Sequence, residues 1–297
     1  MRSLVMAIKK WIAILPVAMS FPLAAQWLNH PDPGTPRQNN GRPDLTAPAP
    51  RINGKPDLSG VWQAERTPLS EFTRVLGDDL VKVQVDLSDV TKHVVNAFWG
   101  MKPEDEPLRP EGRSILKQRA QTPTDRPLSH CLPIGIPAVM FTYAFKMIQA
   151  PQEIVMLSET SDPSRQIYTD GRNLPKEFEP SWMGYSVGKW EGDALVIETT
   201  GFKETSWLDL LGHPRSESMR IVERYQRRDF GHMDVEITFD DPKYYTRPFS
   251  IRTGLTLIPD SDTLEYVCAE NEKDRVHMGK MTKCFASKVG PRVRREV

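Results

Sequence analysis

The chain has 297 residues, with Lys plus Arg and Asp plus Glu balanced at 39 each. A formal net charge of zero leaves no global field to favour DNA, RNA or an anionic membrane surface. With 26 prolines and 18 glycines, the composition favours strands and ordered loops over helix bundles.

Residues 1–25 read as a secretory signal peptide. Arg2, Lys9 and Lys10 form a positive n-region, Trp11 to Leu23 is apolar apart from Ser20, and Ala24-Ala25 offers a cleavage point before Gln26. The uncharged run is shorter than the ~20 residues a membrane-spanning helix needs, and Pro16 and Pro22 interrupt it. Cleavage and export to the periplasm or beyond are therefore expected, with no membrane insertion afterwards.

Residues 26–58 form a proline-rich extended leader. Within it Gly41-Arg-Pro-Asp-Leu45 recurs as Gly54-Lys-Pro-Asp-Leu58. The matched leucines suggest a segment that docks on a preformed surface, above all at the second copy, which runs straight into a strand.

Residues 59–297 are expected to form a single β-barrel domain with a partly helical insert at about 65–138. The first strand is placed at 59–64. Short helices are predicted at 69–76 and 111–120, the second confined by Pro103, Pro107, Pro110, Pro123 and Pro127. From about residue 139 the pattern turns to strands, at 153–159 and 165–168. Strands at 185–191 and 194–200 flank a Gly192-Asp193 turn, and those at 219–229 and 232–239 flank Phe230-Gly231. Val235, Ile237 and Phe239 alternate with Asp234, Glu236 and Thr238, the period of a half-buried strand. Strands at 249–258 and 263–269 complete the run. Successive short strands of this kind predict a mostly β fold, an antiparallel up-and-down barrel with short helical inserts.

Three cysteines in an exported chain imply one disulfide and one remaining thiol. Cys131, Cys268 and Cys284 allow three pairings. Cys131 with Cys268 would staple distant segments and is the working assignment, while Cys268 with Cys284 would close a short terminal loop.

Gly60-Val61-Trp62 at the head of the first strand, followed by successive hairpins, resembles the G-x-W start of lipocalin-like (calycin) barrels. That resemblance implies a Trp closing one barrel end near a late arginine, Arg247 or Arg252, and an internal ligand cavity. The chain also resembles an exported protein family of soil bacteria with no established activity. It shares the paired Gly-x-Pro-Asp-Leu leader, Cys131-Leu-Pro-Ile-Gly-Ile-Pro137, Asp170-Gly-Arg172, Trp190-Glu-Gly-Asp-Ala-Leu-Val-Ile-Glu-Thr199 and Asp240-Asp-Pro-x-x-Tyr245.

The densest polar constellation is the loop carrying Trp207, Asp209, His213, Arg215 and Glu217, with Glu223-Arg224 on the strand that follows. If Asp209 orients His213, the imidazole would act as a general base near neutral pH with Glu217 as a companion acid. The same residues also suit ordinary capping and loop chemistry. Asp170-Gly171 is a turn signal, and Arg172 and Trp182 are candidate ligand contacts that could recognise a carboxylate or a ring. The candidate ligand-binding set is thus Arg172, Trp182, Trp207, Arg215 and Arg224. Gly184-Tyr-Ser-Val-Gly188 matches G-x-S-x-G in letters, but it lies in a strand with no helix after it, where a nucleophile elbow cannot form. No metal-ligand spacing and no nucleotide-binding glycine loop occurs, so neither a metal nor a cofactor is expected.

These readings lead to an exported lipocalin-like protein binding a small apolar or aromatic molecule in a cavity gated by the 205–218 loop. Two alternatives stand beside it. One is a cofactor-independent hydrolase, lyase or isomerase using His213 with Asp209 or Glu217. The other is an envelope interaction protein that docks through its leader.

Overall fold

The computed structural model describes residues 30–77, 91–160, 163–268 and 270. The expected signal peptide and Cys284 lie outside these residues. Among the described residues no helix is long and apolar enough to cross a membrane.

A two-stranded hairpin, β1 (Arg51–Ile52) and β2 (Lys55–Pro56), precedes a closed barrel of nine strands. The barrel strands are β3 (Gly60–Ala64), β4 (Phe145–Gln149), β5 (Glu153–Ser158), β6 (Arg165–Tyr168), β7 (Tyr185–Glu191), β8 (Ala194–Thr200), β9 (Arg220–Arg227), β10 (His232–Asp240) and β11 (Phe249–Leu257). Each pairs with its neighbour in sequence, and β11 returns to pair with β3. Every seam is antiparallel except β6–β7, which is parallel over Ile167↔Ser186 and Tyr168↔Val187. This departs from the purely antiparallel expectation for a topological reason. An odd number of alternating strands cannot close without one like-directed pair. The segment expected as a strand at 263–269 is irregular over 263–268, because β3 already occupies the edge of β11 that it would need. Strand β4, which the sequence reading did not single out, fills the seam between β3 and β5.

Strand alternation sends one set of side chains into the barrel. On β10 Met233, Val235, Ile237 and Phe239 are buried, and on β9 Ile221, Glu223, Tyr225 and Arg227 share the inward phase. A single hydrophobic cluster fills the interior and extends into the insert.

One end of the barrel is sealed by the leader. Trp62 is fully buried, and its indole N–H donates to the Leu58 carbonyl at 2.9 Å. The guanidinium above the ring belongs to Arg227, 5.0 Å from the Trp62 centroid, and not to Arg247 or Arg252. Arg227 holds the inward phase at the end of β9 and donates to the carbonyls of Asp57, Asp229 and Phe230. Arg252 points outward and pairs with Glu236, while Arg247 is exposed.

The repeated leader motif works the same way twice. Asp44 accepts the N–H of Thr46 at 3.1 Å and Asp57 accepts that of Ser59 at 2.8 Å, so each Pro-Asp makes an Asx turn that presents its leucine. Leu45 and Ala47 accept backbone hydrogen bonds from Gly231 and Phe230 at the β9–β10 turn. A Cβ at Gly231 would stand 2.5 Å from the Leu45 Cβ, so only a bare backbone fits there. Arg51 pairs with Asp193 and Lys55 donates to the Gly192 carbonyl at the β7–β8 turn, while Arg37 reaches Asp260 beyond β11. The leader is thus a strap across its own barrel, and its docking groups are engaged within the chain.

The insert seals the other end. It carries helices Leu69–Leu76, Lys92–Val95, Pro110–Gln121 and Ala138–Thr142. Val139, Met140 and Phe141 are buried in the barrel core, and Met140 Sδ lies 3.3 Å from the Tyr225 hydroxyl oxygen. Phe98 packs 4.5 Å from Phe249. A Cys131–Cys268 disulfide ties the insert to the stretch after β11.

The two leucines of the repeat differ in burial, Leu58 being fully buried and Leu45 only partly so. Leu58→Ala is expected to cost about 2–4 kcal/mol by chemical denaturation and Leu45→Ala about half as much. Equal losses would contradict the assignment of Leu58 to the barrel plug.

Candidate functional site at the parallel seam

The polar loop between β8 and β9 is built as a buried clamp. His213 is fully buried. Its Nδ1 lies 2.5 Å from Asp209 Oδ2 and its Nε2 3.2 Å from Glu106 Oε2, a residue of the insert. Asp209 also accepts backbone N–H groups from Ala97 and Gly212 at 2.8 and 2.9 Å. Burial alone lowers the imidazole pKa, but the charges and hydrogen bonds of Asp209 and Glu106 outweigh it and raise the value to about 9. At neutral pH His213 is therefore an imidazolium with a carboxylate on each nitrogen. A general base needs a free lone pair and access to substrate, and this ring has neither. The two carboxylates sit on opposite ring nitrogens, so the three groups do not converge on one point.

The rest of the loop is pinned in the same manner. Arg215 is fully buried and donates to Ser206 Oγ, the Ile136 carbonyl and, at 3.2 Å, the Trp182 carbonyl, with its guanidinium 4.6 Å from the Phe202 ring. Trp207 is buried beneath Arg119, whose guanidinium is 4.9 Å away. Glu217 is exposed and Arg224 points outward to pair with Glu191 at 3.0 Å. Trp207, Asp209, His213 and Arg215 are thus brought together as a fastening between insert and barrel, and Glu217 and Arg224 are not part of it. A loop buried along this length cannot act as the gate expected for it.

A second polar cluster lies inside the barrel. Arg165 on β6 and Glu223 on β9 form a fully buried ion pair. Arg165 Nη1 donates to Glu223 Oε1 at 3.1 Å and meets Met156 Sδ at 3.7 Å. Its Nη2 donates to Glu223 Oε2 and to Thr199 Oγ1, and its Nε to Ser186 Oγ. The Tyr225 hydroxyl donates to Glu223 at 3.0 Å; burial, with the nearby carboxylate charge, holds its pKa well above the ordinary phenol value, so it remains a donor. Every N–H of the guanidinium has an acceptor, so the network is complete without a ligand. Ser186, the serine of the G-x-S-x-G letters, is buried and its hydroxyl is engaged by Arg165 and Thr199. Sequence reasoning missed Arg165 and Glu223 as partners. Their phase was the available signal, since Arg165 alternates with Ile167, and Glu223 with Ile221 and Tyr225, at positions that must point inward.

With both ends sealed and the interior packed, the concavity next to this network lies outside the barrel, at the parallel seam. The β6–β7 ladder ends at Ile167↔Ser186, and on the insert side of that pair the two strands part. Between them is a groove of about 420 Å³ whose lining includes Arg165, Tyr168, Trp182, Gly184, Tyr185 and Lys203. Gly184 has φ +68°, and a Cβ there would meet the Thr200 carbonyl at 2.7 Å. Of the expected ligand contacts, Trp182 lines this groove, while Arg172 borders the neighbouring concavity along β7 and β8 and reaches the seam through its two tyrosines. Arg172 is doubly bound by Asp170, lies 3.9 Å over the Tyr168 ring and donates to the Tyr185 hydroxyl at 3.1 Å. The turn residues Asp170-Gly171 therefore serve to aim Arg172. Tyr168, Tyr185 and Lys203 had no distinguishing mark in the sequence, because the seam that assembles them is a product of closure. No protein-family model matches this chain, and no curated protein matches it.

The clamp has a pH signature. A folded-state pKa above the free value means that His213 contributes stability fully below about pH 6.5, and that this contribution is lost as pH rises through about 9. Melting temperature is expected to fall across that interval in the wild type and to change less in His213→Gln. In the interior, Arg165→Met should cost about 3–5 kcal/mol by leaving Glu223 buried without its counter-charge, and Glu223→Leu in the same background should recover part of the loss. Denaturation of the two single variants and the double variant measures both effects.

Proposed function

We propose that the protein is exported and binds a small molecule in the groove at the β6–β7 seam. The observation that carries this reading is the combination of a filled, doubly sealed barrel with an aromatic-lined cleft at the one parallel seam. A chamber inside the barrel, as the calycin resemblance implied, would compete with Phe239, Tyr225 and the Arg165–Glu223 pair for the same space. The groove has the features of a ligand site: concave shape, aromatic walls and a few placed polar groups. Its tyrosines are held by Arg172 before any ligand arrives, which lowers the ordering cost of binding.

The concavity beside the 65–71 segment has less to offer an aromatic guest. The groove between the 65–71 segment and the outer face of β9–β11 is lined by charges already paired, such as Arg224 with Glu191 and Arg252 with Glu236. Export is supported by the N-terminal segment described above and by the Cys131–Cys268 disulfide, a bond that persists in oxidising compartments.

Native mass spectrometry of the protein isolated from its own envelope tests the reading. A small-molecule adduct is expected on the wild type and should be lost from Trp182→Ala. Retention of the same adduct by that variant would place binding elsewhere.

A further inference from the structure

The chemistry of the groove narrows its ligand, an inference that rests on the small-molecule reading above. The first element is an aromatic wall of fixed geometry. The Tyr168 and Tyr185 rings lie 5.3 Å apart on the outer side of the seam. Arg172 covers Tyr168 and holds the Tyr185 hydroxyl, and Asp170 holds Arg172 through contacts of 2.9 and 2.6 Å. Rings fixed in this way offer a flat apolar surface whose ordering cost was met on folding.

The second element is a cation. Lys203 lines the groove with its ammonium 5.6 Å from the Trp182 ring centre. Among the described residues it forms no ion pair with a carboxylate, and the adjacent Glu204 is already engaged by Lys243 and the Tyr244 hydroxyl. Arg165, the other cation in the lining, is neutralised by Glu223 from within. The one acid in the lining, Glu179, is exposed. The groove thus presents an ammonium in no direct ion pair beside aromatic surface, with an indole 5.6 Å from it.

We propose that the seam groove takes a planar aromatic carboxylate, the ring against Tyr168, Tyr185 and Trp182 and the carboxylate on Lys203. A neutral arene would leave Lys203 without a partner, and an aliphatic acid would leave the rings unused. Each is a poorer match than a molecule carrying both features.

Isothermal titration of the full protein with 2-naphthoate and its neutral isostere 2-naphthamide tests this. Saturable binding of the naphthoate is expected, about tenfold tighter than the amide. Lys203→Gln should remove that preference, Trp182→Ala should weaken both compounds, and matching melting temperatures would show that the variants fold. Equal affinities in the wild type, unaffected by Lys203→Gln but weakened by Trp182→Ala, would overturn the carboxylate assignment and leave the groove as the binding surface. Affinities unchanged in both variants would overturn the groove reading together with the assignment. Absence of saturable binding by either compound would overturn the ligand class alone, since an adduct lost from Trp182→Ala in native mass spectrometry would still support the groove.

Discussion

Nine strands running up and down in chain order return to their start pointing the wrong way for an antiparallel pair. One seam must then be parallel, and in this barrel it is β6–β7. A parallel step needs a connection that carries the chain back along the barrel, and residues 169–184 supply it. That return brings Arg172 over Tyr168 and Trp182 to the rim where β6 and β7 part. The pairing extends over two residue pairs only, so the strands separate early and leave backbone and aromatic side chains around a groove. The groove proposed as the ligand site is therefore a by-product of closing an odd barrel.

Buried charge organises what the ladder does not. Removing an ion pair from water costs more than the pair's attraction returns unless the remaining protons and lone pairs are also used. Arg165 meets that condition with Glu223, Ser186, Thr199 and Met156 around it. His213 meets it with two carboxylates, and Arg227 with three carbonyls and two aromatic faces. One such centre lies inside the barrel and one toward each end. Groups this fully satisfied are poor reagents and good fasteners, since any movement that frees one of them exposes an unpaired charge to an apolar interior.

Much of the fold was legible from the sequence because hydrophobic alternation is local. The alternation of Val235, Ile237 and Phe239 fixed β10, and Gly192-Asp193 fixed the β7–β8 hairpin. What failed were statements about partners in space. The Trp62–arginine closure was real in kind, but the arginine is Arg227, whose candidacy depends on inward phase and not on a motif. The proximity of Asp209 and His213 was readable from their spacing, whereas Glu106, from a distant insert, was not, and it is Glu106 that removes the second ring nitrogen from chemistry. The segment at 263–268 has strand-like composition, yet whether it can pair depends on β3, some two hundred residues earlier, having already closed the ladder.

The leader strap carries a consequence for the order of assembly. Its anchors lie at Asp193, Gly231 and Asp260, so Arg37 and Asp32 meet a residue more than two hundred positions along the chain. Loop-closure entropy disfavours such contacts until the intervening chain has already become compact. The strap, synthesised before any barrel strand, would thus be among the last parts to settle, locking a barrel that had formed without it. The paired Pro-Asp-Leu motifs suit that schedule: each Asx turn is local and preformed, so the strap arrives with its leucines already presented to the surface that receives them.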